Sequence, residues 1–82
     1  MLFLPGETVL PCLAFPAGHT PQLTVDGNTS VSVDYYGPSG WSEVVRWDAG
    51  AGFASVPMGA ESAIFRLRVR AQGLVSSSVL LG

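Results

Sequence analysis

The chain has no lysine, one histidine, one cysteine and only 12% charged residues. An ordinary soluble domain carries about 25%. Each shortage closes off a class of protein. A lone Cys12 leaves no partner for an intrachain disulfide. Cys12 and His19 together are too few for a structural zinc site. Four basic residues against six acidic ones leave a net charge of −2, which is no field for a phosphate backbone. No run approaches the roughly 20 apolar residues of a membrane-spanning helix. Met1 to Leu4 is apolar, but no positive stretch precedes it and Pro5-Gly6 ends it, so no targeting segment is expected. These features predict a soluble protein of a reducing compartment, with Cys12 as a small buried hydrophobe.

Hydrophobic residues, in contrast, make up 48% of the chain, and the mean hydropathy is +0.39. Eighty-two residues form one domain with limited interior volume. Such domains lean on disulfides, metal or oligomerisation, and here only oligomerisation is left. Some of the apolar surface is therefore expected to lie against a partner.

The strongest pattern is Ala63 to Ala71. Ala63, Phe65, Leu67, Val69 and Ala71 alternate with Ile64, Arg66, Arg68 and Arg70. Side chains of a strand have period two, so this is one apolar face and one three-rung arginine ladder. As a helix, Phe65, Leu67 and Val69 would scatter around the axis. Three of the four basic residues sit in this strand. The ladder has three readings. Asp34 or Glu43 pairs it within the chain. Alternatively it grips carboxylates of a neighbouring chain. Nucleic acid is the weakest of the three, because no other positive charge surrounds the ladder.

Upstream, prolines at 5, 11, 16 and 21 exclude a long helix or a central strand. Residues 1–21 read as an extended N-terminal strip, either lying across a neighbouring subunit or pairing within its own domain. Residues 22–82 read as the core. Gln22 to Asp26 is a strand with Leu23 and Val25 inward. Asp26-Gly27-Asn28 is a tight-turn signal, and Ser30 to Tyr36 is expected to form a hairpin with the strand before it. Trp41 to Asp48 reads as a strand with Trp41, Glu43, Val45 and Trp47 on one face. Ala49 to Gly52 is a glycine turn, Phe53 to Val56 a short strand, and Leu74 to Leu81 the last strand, with Val75, Ser77, Val79 and Leu81 together. With about seven short strands and no helical stretch, the prediction is an all-β, antiparallel sandwich or barrel forming a single domain over 1–82.

Catalytic constellations are sparse. Cys12 or a serine with His19 would need a base oriented by a third group, and an oxyanion site in a cleft. His19 lies in P-A-G-H-T-P, a loop. The six acids are spread along the chain, and A-G-A-G lacks the spacing of a nucleotide-binding loop. No catalytic residue, metal ligand or cofactor is assigned. Tyr36, Trp41 and Trp47 suit sugar stacking on an exposed sheet face, or else a core or an interface.

Y-Y-G-P-S-G-W-S-E-V, then V-P-M-G-A, then I-F-R-L-R-V-R-A and a Ser-rich last strand line up in order. Over Ser30 to Leu81 this resembles the small β-sandwich structural proteins of tailed-bacteriophage virions, the decoration, cement and fibre modules. The resemblance implies a non-enzymatic virion component, made in the host cytoplasm and repeated on a shell. Its expected partners are a major capsid or other virion protein and copies of itself, as a trimer. Arg66, Arg68 and Arg70 would supply polar contacts, and Met1, Leu2, Phe3, Leu4 and Phe15 the apolar strip. The alternative is a carbohydrate-binding module of a tail or head fibre, using Tyr36, Trp41 and Trp47.

Overall fold

A computed structural model describes residues 1–48 and 50–82; Ala49, in the expected glycine turn, lies outside the described residues. The strands are β1 (Leu2–Phe3), β2 (Gly6–Val9), β3 (Leu13–Phe15), β4 (Gln22–Asp26), β5 (Ser30–Gly37), β6 (Gly40–Trp47), β7 (Gly52–Ser55), β8 (Ala63–Ala71), β9 (Val75–Ser76) and β10 (Ser78–Leu81). All pairings are antiparallel. The fold is an all-β sandwich.

One sheet runs β2-β8-β5-β6, with β3 also on β8. β2 and β3 follow one another along the same edge of β8, at Arg68–Ala71 and Ala63–Phe65. Pro11, between them, has no N–H to continue the ladder. The N-terminal segment therefore pairs within its own domain. Cys12 lies in the break and is exposed, so the expectation of a buried cysteine fails because Pro11 lifts it off the ladder.

The other sheet runs β10-β4-β7. β1 lies along β9, and β9 leads straight into β10 through Ser77. Met1 and Ser77 exchange backbone hydrogen bonds of 3.0 and 2.9 Å, which extends the β1 pairing to Ser77.

The expected hairpin between β4 and β5 does not form. β4 pairs with β10 and β7, whereas β5 pairs with β8 and β6. The Asp26–Thr29 turn carries the chain from one sheet to the other, so that Leu23 and Val25 face Val31 and Val33 across the core instead of standing beside them. Thr29 and Ser77 fix this arch: their hydroxyls are 3.2 Å apart and buried, and Ser77 Oγ donates to the Asp26 carbonyl at 3.1 Å. Gly27 passes so close to Ser77, with φ of 136°, that no side chain fits there.

The core lies between the sheets. Phe65, Leu67 and Val69 of β8 pack with Val31 and Val33 of β5 and with Leu23, Val25 and Leu81 opposite. Phe3, expected at an interface, is 2% exposed and belongs to this core. Residues buried to this degree contribute about 1.5–3 kcal/mol each.

β6 departs from simple alternation. Its register against β5 shifts between Val33 and Asp34, where Val44 is inserted between Glu43 and Val45. The bulge puts Val44 and Val45 both against the core. Trp41 and Glu43 consequently face outward while Val45 and Trp47 face inward, and the expected single face is split. Trp47 packs against the core, and its indole N–H donates to the Gly50 carbonyl at 3.0 Å.

Candidate functional site: the arginine face

The outer face of the larger sheet collects most of the chain's charge. β8 supplies Arg66, Arg68 and Arg70. Register places Asp34 beside Arg66, Ser32 beside Arg68 and Glu7 beside Arg70. Glu43 stands opposite Asp34 on β6.

Asp34 is the centre of the network, with its side chain 3% exposed. Arg68 donates from Nε at 2.7 Å and from Nη2 at 3.0 Å, a two-point fork on the carboxylate. Arg66 donates from Nε at 2.8 Å. Burial pushes the Asp34 pKa up, but the hydrogen bonds and charges of Arg68 and Arg66 outweigh it, and the net shift is downward. The hydrogen bond to Asp34 raises the pKa of Arg68, against the opposing effect of burial. Arg68 also reaches Glu7 at 3.2 Å and Glu43 at 3.3 Å. One guanidinium thus joins carboxylates from three other strands.

The structure divides the ladder. Arg66 and Arg68 are engaged within the chain, each with a side chain 27% exposed. Arg70 is 68% exposed and only 3.8 Å from Glu7, a loose contact. It borders a shallow polar depression of about 240 Å³ with Ser30, Ser32 and Arg46. Of the three, Arg70 is the one free to meet a carboxylate from outside.

The aromatic candidates are not brought together. Tyr36 and Trp41 are neighbours on the outer face, with ring centroids 5.0 Å apart at 56°. The Arg66 guanidinium covers the Trp41 ring at 4.5 Å. Trp47 is on the inner face. Tyr36, Trp41 and Trp47 thus form no common platform.

The apolar strip is likewise divided. Met1, Leu2 and Leu4 are exposed, Phe3 is in the core, and Phe15 packs against Phe65 at 6.0 Å. His19 stacks on Phe15 at 5.1 Å with the planes 2° apart. Among the described residues, no three His, Cys, Asp or Glu side chains are placed to hold a metal ion.

Sequence reasoning missed a second surface, the outer face of the smaller sheet. Leu80 pairs with Thr24 and Thr24 with Phe53, so the three form a row across β10, β4 and β7. Phe53 and Leu80 are 68% and 63% exposed. The signal was present in the alternation of Leu80 with Val79 and Leu81, and of Phe53 with Ala54, but it needs the pairing to become a row.

Comparison with protein-family models, with curated proteins and with solved structures finds no match to this chain.

Proposed function

We propose that this chain is a structural module that works by assembly, as a decoration or cement protein on the outer shell of a tailed-bacteriophage virion. The observation that carries the reading is the distribution of polar and apolar surface. The charged groups are largely engaged with one another on one sheet, while Phe53, Leu80, Leu2, Leu4 and Leu74 stand exposed elsewhere. Surface of this kind gains free energy when covered by protein. The module acts mechanically and without catalysis. Each copy covers a seam in the shell, and repetition makes weak single contacts sufficient. A major capsid protein is the proposed shell partner, and copies of this chain the second. Arg70, exposed beside the polar depression, is the proposed polar contact.

The sugar-binding reading has less support, because Trp47 faces the core and Arg66 covers Trp41.

The test is mass spectrometry of purified virus particles produced from the genome that encodes the chain. Many copies per particle, released by mild denaturant before the shell opens, are the expected result. Particles without the chain would overturn the reading.

A further inference from the structure

We propose that Arg46, Ser32 and Arg70 form a socket for one carboxylate side chain of a protein partner. Arg46 is not part of the ladder on β8, and strand pairing brings it there. Ser32 of β5 stands opposite Arg46 of β6 and opposite Arg68 of β8. Ser30, two residues back, stands opposite Arg70. Residues directly opposite one another share a face of the sheet. The middle strand therefore carries two small side chains with arginines on both flanks, and small side chains between long ones leave a trough. This is the depression of about 240 Å³ on the outer face of the larger sheet.

The donors around the trough differ in how far they are committed. Arg68 already serves Asp34, Glu7 and Glu43. Ser30 Oγ donates to the Asp48 carbonyl. Arg46 and Arg70, in contrast, have side chains 74% and 68% exposed. Their nearest carboxylates, Asp48 and Glu7, lie at 3.9 and 3.8 Å, beyond hydrogen-bond distance. The half-buried Ser32 hydroxyl makes no hydrogen bond among the described residues. From strand spacing and rise, Arg46 and Arg70 have Cα atoms about 12 Å apart, two strands across and two residues along. Both side chains border the depression, so a group seated over Ser32 is flanked by both guanidiniums.

Charge selects the occupant. Arg46, Arg66, Arg68 and Arg70 are balanced by Glu7, Asp34, Glu43 and Asp48, so the face as a whole has no positive excess. A phosphate backbone, with its repeated charges, would meet Glu7 and Glu43, which also border the depression. A single carboxylate meets the two guanidinium forks and a hydroxyl, while Glu7 and Glu43 are held on Arg68. The polar contact is then not the ladder: Arg46 takes the place of Arg66 and Arg68. An exposed site of this kind is weak, with a dissociation constant on the order of 10 mM, and repetition on a shell makes it sufficient. The inference rests on the proposed assembly role only for its choice of a protein partner.

NMR titration of the full chain with N-acetylglutamate N-methylamide, at constant ionic strength, tests the socket. The expected result is one saturating isotherm shared by the Arg46 and Arg70 Nε–H groups and the Ser32 amide, with Arg66 Nε–H, held by Asp34, unmoved. The glutamine analogue should shift none of them. Arg46→Gln and Arg70→Gln should each weaken binding about three-fold, the scale of one exposed ion pair. Neither arginine makes a hydrogen bond within the fold among the described residues, so amide spectra away from the trough should match those of the unmodified chain. Shifts that do not saturate by about 100 mM would overturn the proposal. So would an isotherm that either substitution leaves unchanged, or equal shifts from the glutamine analogue. Tripolyphosphate binding there more than about ten-fold tighter would also overturn it, by making the trough a phosphate site. The titration needs no shell. Virus particles lacking the chain would overturn the assembly role and leave the socket standing, and a failed titration would do the reverse.

Discussion

Asp34 of β5 and Arg68 of β8 meet in a two-point fork, Nε to Oδ2 at 2.7 Å and Nη2 to Oδ1 at 3.0 Å. The pair joins the two central strands of the larger sheet on its solvent side, while Val33 and Leu67 join them on the core side. Register is thereby specified from both faces. A one-residue slip would put Asp34 against the core and Val33 into water.

Asp34→Asn removes the charge that both arginines hold. Breaking a buried pair by removing one partner costs about 3–5 kcal/mol. Arg66 and Arg68 keep partial access to water and Arg68 keeps Glu7 and Glu43, so a loss of about 2–4 kcal/mol is expected. Urea unfolding measures it, and a change within about 0.5 kcal/mol would show that the network contributes little.

The same pair sets an acid limit. The folded pKa of Asp34 lies below its ordinary value of 3.8. The folded state therefore holds this proton more weakly than the unfolded chain does. The stabilisation is fully present above the ordinary value and is lost as pH falls through the depressed one. Thermal unfolding midpoints are expected to be level from pH 7 to about pH 5 and to fall below about pH 4. In Asp34→Asn the drop should be smaller.

Arg70→Ser and Arg68→Ser should part company. Arg70 makes one loose contact, so its loss is expected to change stability by under about 0.5 kcal/mol. Arg68→Ser leaves the buried Asp34 with Arg66 as its one remaining partner and should destabilise the fold by about 2–4 kcal/mol. Replacing all three arginines at once would confuse a binding defect with an unfolded domain. Equal stability of the two single variants would contradict the division of the ladder.

Gly52→Ala tests the packing of Trp47. A Cβ at Gly52 would lie 2.7 Å from the indole ring, closer than atoms approach. Either the ring or β7 must shift, at about 1–3 kcal/mol. Tryptophan emission is expected to move to longer wavelength as the ring gains water. An unchanged spectrum and midpoint would place Trp47 elsewhere.

Much of this fold is written locally. β4 and β8 begin and end where alternation and turn residues place them, because period-two patterning is a property of the strand alone. The inward set Val75, Ser77, Val79 and Leu81 was legible for the same reason. Pairing was not. Asp26-Gly27-Asn28 specifies that the chain turns, yet the same residues serve a hairpin or an arch between sheets. Thr29 meeting Ser77, 48 positions away, selects the arch. Nor does any local feature announce the bulge at Val44, which exists because one extra residue in β6 must be absorbed where Asp34 sits beside Arg66 and Arg68. The ladder of arginines could be read from sequence, but which rungs are engaged depends on the carboxylates that β2, β5 and β6 bring to it. Local alternation decides which side chains share a face of a strand. Only the long-range packing of two sheets decides which strands lie side by side and which charges are matched.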